Sequence, residues 1–152
     1  MENKEIKEAL YTHCTTFIKG RIQRLKSQIV DMQESLTSET KSSAGDKHET
    51  GRAMIQLEIE KLGQQLQDAE KMQQVMAKVT AENSGDKVAL SSVVQTNKVY
   101  YYLAISAGAC VVDGETYYCI SPHTPIGQLV LGKEKETTVS FNGQAFTIAN
   151  IF

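Results

Sequence analysis

Two long runs of apolar residues in the first half of the chain advance by alternating steps of three and four. The first run consists of Ile18, Ile22, Leu25, Ile29, Met32 and Leu36. The second consists of Ile55, Ile59, Leu62, Leu66 and Ala69. This spacing keeps apolar side chains on one stripe of a helix, and no proline occurs between residues 6 and 80. The pattern therefore predicts two long helices, each with one apolar seam.

A short polar connector, residues 37–45, separates the two runs. Because a connector of this kind lets consecutive helices fold back on each other, we expect an antiparallel coiled-coil hairpin over residues 1–82. About thirty residues per arm, at a rise of ~1.5 Å per residue, would make a rod on the order of 45 Å long. We expect the free end of such a rod to meet solvent or a partner.

The periodicity changes near residues 82–86, and β-branched and aromatic residues dominate from Val88 onward. Residues of these types favour strands. The dipeptides Asp113-Gly114 and Asn142-Gly143 each lie between two such runs, which is typical of tight hairpin turns. We therefore predict a β domain over residues 86–152, with about five strands.

Residues 125–132 begin with proline and end with glycine, a pattern that favours one short helix within this domain. About seventy residues bury only a marginal core when they fold alone. We therefore expect the helix ends, near residues 6–17 and 72–79, to pack on the β domain. The predicted fold class is α+β: an N-terminal helical hairpin followed by a small β domain with one short helix.

The charge and the N-terminus narrow the function classes. A formal net charge of −2 gives no electrostatic reason to bind bare nucleic acid tightly. The residues after Met1 form no apolar run long enough for a signal peptide or a membrane span. We therefore expect a cytoplasmic protein without a membrane partner, in which any link to nucleic acid runs through another protein.

No catalytic motif of the common hydrolase, metalloprotease or nucleotide-binding types occurs in the chain, so an enzyme is not expected. The histidines His13, His48 and His123 fall in unrelated elements. The cysteines, which are Cys14, Cys110 and Cys119, include no C-x-x-C pair. An odd number of cysteines without a C-x-x-C pair argues against a disulfide framework and against a zinc site, and favours reduced, structural thiols.

The predicted turn of the hairpin carries two acids, Asp46 and Glu49, directly after Gly45. Side chains three apart on a helix share a face, so two such carboxylates can hold Mg²⁺ by one or two oxygens each. An alternative is a capping box, in which Asp46 accepts from a backbone amide at the helix start. Spacing alone leaves both interpretations open, and they are compatible.

Two segments of this chain resemble the bacterial Gre transcript-cleavage factors, the GreA/GreB family. Residues 120–133, Ile-Ser-Pro-His-Thr-Pro-Ile-Gly-Gln-Leu-Val-Leu-Gly-Lys, are similar to the I-S-x-x-S-P-L-[AG]-x-A-L-[IL]-G-K segment of the Gre C-terminal domain. Residues 45–50, Gly-Asp-Lys-His-Glu-Thr, are similar to the G-D-L-S-E-N tip of the Gre hairpin. The order and separation of the two segments also agree with that family.

The resemblance implies a function that the residues alone do not. It implies a transcription elongation factor whose hairpin enters the secondary channel of RNA polymerase and stimulates cleavage of backtracked RNA. Asp46 and Glu49 fall on the family's tip acids, which would assist a Mg²⁺ shared with the polymerase and not bound stably by this chain alone. The β domain would be FKBP-like and would dock outside the channel. The chain would act as a monomeric accessory factor, with the polymerase performing the hydrolysis.

Departures from the family pattern keep other functions open. Lys47 and His48 replace the leucine and serine between the acids, Thr50 replaces an asparagine, and Arg52 replaces the next acid. Cations beside the carboxylates weaken the negative field, which fits a non-cleaving regulator similar to Rnk. Two further alternatives are prolyl isomerisation by the FKBP-like domain, which the absence of tryptophan disfavours, and a coiled-coil oligomerisation module.

Overall fold

The computed structural model describes residues 1–41 and 45–152, and it describes no side chain within residues 39–48. The helices of this part of the chain are α1 (Asn3–Lys41), α2 (Gly45–Met76) and α3 (Pro125–Val130). The strands are β1 (Val93–Thr96), β2 (Tyr100–Leu103), β3 (Gly108–Val112), β4 (Glu115–Ile120), β5 (Thr138–Phe141) and β6 (Gln144–Ile151). The fold is α+β, as predicted: a long helix pair followed by a sheet domain with one short helix. None of the helices in these ranges is long and apolar enough to cross a membrane.

The chain divides into two compact units. The first, which we call the hairpin unit, comprises residues 18–73. The second, the sheet unit, comprises residues 1–17 together with 74–152. Each long helix therefore contributes its outer turns to the sheet unit. That a fragment over 86–152 forms a domain of its own stays a prediction.

The hairpin unit is held together by the predicted seam. Ile18, Ile22 and Leu25 of α1 and Leu62 and Ala69 of α2 are buried. Because only three residues separate the helices, α2 must run back along α1 to cover these side chains. The other seam positions are half-buried, and these are Ile29, Met32, Leu36, Ile55, Ile59 and Leu66. Half-burial follows because two helices without a third layer leave one flank of each seam in water.

The expected polar connector is shorter than the sequence suggested. Helix α1 continues to Lys41 and α2 begins at Gly45, whereas residues 37–45 were expected to be loop. The Thr37 hydroxyl donates a 3.1 Å hydrogen bond to the carbonyl of Gln33, one turn earlier. Threonine within a helix commonly bonds the carbonyl four residues earlier in this way.

The sheet unit contains a sheet with strand order β3-β4-β2-β1-β6-β5. Neighbouring strands are antiparallel except for β2 and β4, which are parallel. One face carries a buried core that consists of Val88, Val94, Leu103, Val130, Val139, Phe146, Ile148 and Ile151. Helix α3 supplies Val130 to this core, so it closes that side of the domain.

The other side of the sheet carries Tyr102 and Cys119, which pair between β2 and β4, and the first turns of α1 pack against it. Leu10 and Cys14 of α1 are completely buried. The His13 ring donates from Nε2 to the carbonyl of Ala107 over 2.9 Å. The expectation that the helix ends pack on the β domain is confirmed.

The structure has six strands where about five were expected, because a turn at Asn97 separates β1 from β2. The Thr96 hydroxyl accepts from the amides of Lys98 and Val99 at 3.1 and 2.9 Å. A hydroxyl can thus fix a turn that contains neither glycine nor proline, the two residues that mark turns most strongly in a sequence.

The two predicted hairpin turns are confirmed. Asp113 and Gly114 have φ angles of 51° and 79°, and Asn142 and Gly143 have φ angles of 51° and 77°. Two consecutive residues in the left-handed region form the turn whose twist matches that of paired strands. These turns connect β3 to β4 and β5 to β6.

Candidate functional site

The start of α2 positions the two acids of the predicted tip. Asp46 and Glu49 lie on one continuous helix, three residues apart, and such positions share a face with Cβ atoms ~5–6 Å apart. The Glu49 side chain is exposed. The Asp46 side chain lies outside the described residues. A pair of carboxylates acting together at this point therefore stays a prediction.

The position of the first helical residue bears on the capping alternative. A capping residue stands immediately before the first helical turn, but α2 already includes Gly45. Asp46 therefore falls inside the first turn. An acid there still favours the positive end of the helix. With Gly45 as the first helical residue, Asp46 stands two positions after the capping position.

The immediate surroundings of Glu49 limit what the tip can bind. Arg52 is exposed and lies three residues further along α2, so its guanidinium shares that side of the helix. Among the side chains that the structure describes, no three ligand-type groups cluster so that they could hold a metal ion. Two carboxylates alone would leave most positions of a Mg²⁺ to ligands from a partner or to water, so a metal at the tip stays a prediction.

The segment that resembles the Gre C-terminal domain forms α3 and its two caps. The Thr124 hydroxyl accepts from the amide of Gly127 over 3.1 Å, and Pro125 occupies the first helical turn. A Cβ atom at Gly127 would lie 2.3 Å from the backbone oxygen of Ser121. Only glycine fits so close an approach without moving the backbone.

The end of the same segment is hydrogen-bonded to Val88, which precedes β1. Gly132 has a φ of 79°, which favours glycine after a helix. Its amide donates to the carbonyl of Val88 at 2.8 Å, and the amide of Val88 donates to the carbonyl of Lys133 at 2.9 Å. The capping and backbone contacts of this segment thus hold α3 in place.

The outer face of the β3–β4 hairpin exposes apolar side chains, which we call the edge patch: Ala109, Val111 and Tyr118. Val111 is 69% exposed and Tyr118 is 43% exposed. Ala109 pairs with Tyr118 across the two strands, so the side chains point to the same face. Because β3 is an edge strand of the sheet, this patch borders open solvent. Exposed apolar surface of this kind is typical of an interaction site.

Two groups in the sheet unit were missed by the sequence analysis. Lys7 is only 1% exposed, and its burial lowers the pKa of its ammonium group to about 8. Cys14 is completely buried. Lys7, Leu10 and Cys14 follow one another by steps of three and four. This spacing predicts that they lie on one face of α1 and that this face is buried. It did not indicate which residues cover it.

The three histidines of the sequence lie on different parts of the chain. His13 is used in packing α1 against the sheet unit, and His123 is exposed on the loop before α3. His48 lies outside the described residues. Nothing in the described part of the chain brings a histidine to the acids of the tip.

The sequence matches no family model and no curated protein. Among solved structures, that of the transcription factor Gfh1 is similar over 86% of this chain and 92% of the Gfh1 chain, with 20% sequence identity and a TM-score of 0.34.

Proposed function

We propose that this protein is a cytoplasmic transcription elongation factor that binds RNA polymerase and acts through the tip of its helical hairpin. The observation that carries the proposal is the start of α2, where a segment resembling the Gre tip places positions 46 and 49 on one helical face with the Glu49 carboxylate exposed. A long helix pair with acids at its turn is the shape expected of a hairpin that enters the secondary channel of the polymerase. The polymerase performs the chemistry, and this chain is not itself an enzyme.

The role proposed for Asp46 and Glu49 is to supply oxygen ligands in trans. A Mg²⁺ held jointly with the polymerase would supply charge stabilisation and an activated water for RNA hydrolysis. The chain's own task is to deliver two carboxylates at a fixed spacing, which a continuous helix does better than a loop. Because this chain alone offers too few ligands, we propose that it binds no Mg²⁺ stably by itself.

We further propose that the edge patch of the sheet unit contributes to docking on the polymerase. Val111 and Tyr118 are the largest exposed apolar side chains of the β3–β4 hairpin, and tyrosine is enriched in binding hot spots. Contact with nucleic acid would then arise only through the elongation complex.

The test of the proposed function is RNA cleavage in halted elongation complexes of the host polymerase. The wild-type protein should shorten the backtracked RNA. The Asp46→Asn and Glu49→Gln double variant should bind the polymerase equally well and lose the stimulation, because amides keep the shape but remove the charge that the metal needs. Glu58→Gln, an exposed acid of α2 away from the tip, is the matched control and should cleave like the wild type.

The exposed Arg52 favours a second candidate, a polymerase-binding regulator that occupies the channel without cleavage. A cation on the same side of the helix competes with Mg²⁺ for the carboxylates. Wild-type protein that binds the polymerase but gives no cleavage at any magnesium concentration would refute the metal role and establish this second candidate. Restored cleavage in an Arg52→Glu variant would identify the arginine as the reason.

A further inference from the structure

The strand β3 forms an open edge of the sheet. It pairs with β4 alone and stands at the end of the strand order, so no described strand lies beyond it. Sheets commonly protect such an edge with charged residues, a proline or a covering segment. The strand Gly108–Val112 contains no charged residue and no proline. The edge is therefore able to pair with another extended chain.

The β3–β4 turn decides which backbone groups of β3 face outward. In a two-residue hairpin the residues that flank the turn exchange hydrogen bonds, and here these are Val112 and Glu115. Bonded and free positions then alternate along the strand. Cys110 therefore bonds to β4, whereas Ala109 and Val111 turn their N–H and C=O groups away from it. No hydrogen bond from elsewhere in the described chain reaches these groups.

The residues with outward backbone groups are also those of the edge patch. Val111 is 69% exposed and Ala109 is exposed, and both side chains lie on the face that carries Tyr118. A chain that pairs with β3 gains backbone hydrogen bonds from the edge and apolar contacts from the patch. In this mode of recognition the main chain provides affinity, and alternate side chains provide specificity.

The segment that contains this edge carries acids but neither lysine nor arginine. From Val99 to Gly132 the charged residues are Asp113 and Glu115, both at the β3–β4 turn, and both are exposed. The Met1 amino group lies 3.5 Å from an Asp113 oxygen, and an exposed ion pair of this kind is weak. The charge therefore favours a partner segment that carries a lysine or an arginine.

We propose that β3 binds an extended segment of RNA polymerase as an added strand of the sheet. This segment places apolar side chains at alternate positions beside Val111, and a lysine or an arginine beside the acids of the β3–β4 turn. The inference rests on the proposed function and specifies how the sheet unit docks. A second copy of this chain fits the charge less well, because its own β3–β4 turn brings acids and no cation.

Proline at position 109 tests the backbone pairing. Ala109→Pro removes an outward N–H without removing a bond to β4, and an edge strand tolerates proline in this orientation. Polymerase binding by the full-length variant should weaken by roughly tenfold or more, because a carbonyl of the added segment loses its donor. Ala109→Val enlarges the side chain and keeps the N–H, so this matched control should bind like the wild type. Unchanged affinity in Ala109→Pro would overturn the proposal.

A proline on the opposite edge shows whether the effect is specific to β3. The strand β5 is the other edge of the sheet, and Phe141 pairs with Gln144 next to its turn. By the same alternation, Ser140 turns its N–H away from β6. Ser140→Pro should bind polymerase like the wild type. Equal losses of affinity in Ser140→Pro and Ala109→Pro would mean that β3 is not the docking edge.

Hydrogen exchange of the wild type gives a readout that needs no variant. In the free protein the amides of Ala109 and Val111 should exchange rapidly, and the amide of Cys110 slowly, because only the last is bonded within the sheet. In the complex with polymerase all three should exchange slowly. If Ala109→Pro fails to fold, this measurement still decides the outcome. Binding that leaves the amides of Ala109 and Val111 unprotected would mean that side chains alone dock, which overturns the added strand.

The acids of the turn are tested by removing their charge. The double variant Asp113→Asn and Glu115→Gln should bind polymerase several-fold more weakly, and its affinity should depend less on salt. Asparagine also adopts the left-handed conformation that position 113 requires. Unchanged binding in this variant would refute the cationic character of the segment.

The outcomes separate this inference from the proposed function. Wild-type protein that does not bind polymerase contradicts both. Binding that survives Ala109→Pro contradicts the added strand and leaves the proposed function standing. Concentration-dependent dimerisation that Ala109→Pro abolishes would place a second copy on the edge, and it would also overturn the inference.

Discussion

The ammonium group of Lys7 donates a 2.6 Å hydrogen bond to the backbone carbonyl of Glu82. This bond joins the first turns of α1 to the segment that follows α2, two parts of the sheet unit that are 75 positions apart in sequence. A charged group that is only 1% exposed is costly unless its donors are satisfied. Lys7 therefore fixes the start of α1 and also makes the stability of the fold depend on pH.

Lys7 should make the protein more stable as pH rises between about 8 and 10.5. The pKa of Lys7 falls from its ordinary value of 10.5 to about 8 in the folded chain, so within this window the unfolded chain binds more protons than the folded one. Linkage then requires the free energy of unfolding to rise with pH. Below pH 8 both states carry the proton, and Lys7 adds no pH dependence.

Urea unfolding of the wild type and of Lys7→Met across this range checks the prediction. The difference in free energy of unfolding should be flat below pH 8 and should shift in favour of the wild type above it. Lys4→Met, at an exposed lysine, controls for the loss of one positive charge. A difference that shifts in favour of Lys7→Met as pH rises would contradict the account.

Leu62 should contribute strongly to the stability of the hairpin unit. It is 6% exposed, and truncation of a buried leucine to alanine costs about 2–5 kcal/mol of stability. Leu57 stands five residues earlier on α2 and is 64% exposed, so Leu57→Ala should lie within about 0.5 kcal/mol of the wild type. Denaturant titration of both variants checks the pair. Equal losses at the two positions would show that the seam does not face the partner helix as described.

Gly127 and Gly63 should respond to alanine in opposite directions. A methyl group at Gly127 would press on the backbone of Ser121, and overpacking of this kind costs about 1–3 kcal/mol. Gly63 lies in α2 with no atom within 4 Å of the added carbon, so alanine there should add about 1 kcal/mol through helix propensity. Thermal melts of the two single variants should show a lower midpoint for Gly127→Ala and a higher one for Gly63→Ala than for the wild type. A stable Gly127→Ala protein would mean that α3 does not approach residues 121–122 as described.

The edge patch should contribute to polymerase binding if the proposed function holds. Replacing Val111 and Tyr118 together by serine removes exposed apolar surface, so binding should weaken by at least tenfold while the thermal midpoint changes little. Gln144→Ser, at an exposed position of β6, is the control. Unchanged affinity in the double variant would exclude the patch as a docking surface.

The helices and hairpin turns could be predicted from the sequence, because the residues that specify each of them are close together in the chain. The alternating spacing around Leu25 and Leu62 required helices, and the Asp113-Gly114 and Asn142-Gly143 dipeptides required hairpin turns. Each signal depends on residues close together in the chain, where periodicity and backbone preference act directly. The short helix after Thr124 was predicted for the same reason.

What depended on distant contacts did not follow from the sequence. The complete burial of Cys14 depends on how the first turns of α1 pack in the sheet unit. The role proposed for Asp46 and Glu49 follows from their spacing and from the resemblance to the Gre tip, and it stays a prediction because it depends on a partner outside this chain.

Association with RNA polymerase tests the central claim most directly. Full-length protein mixed with purified polymerase from its own host should co-elute with it in gel filtration, and light scattering of the free protein should show a monomer. The complex should persist in the Asp46→Asn and Glu49→Gln double variant, since the claim assigns these acids to catalysis and not to docking. Separate elution of the wild-type protein and the polymerase, in both the core and the halted elongation complex, would contradict the account.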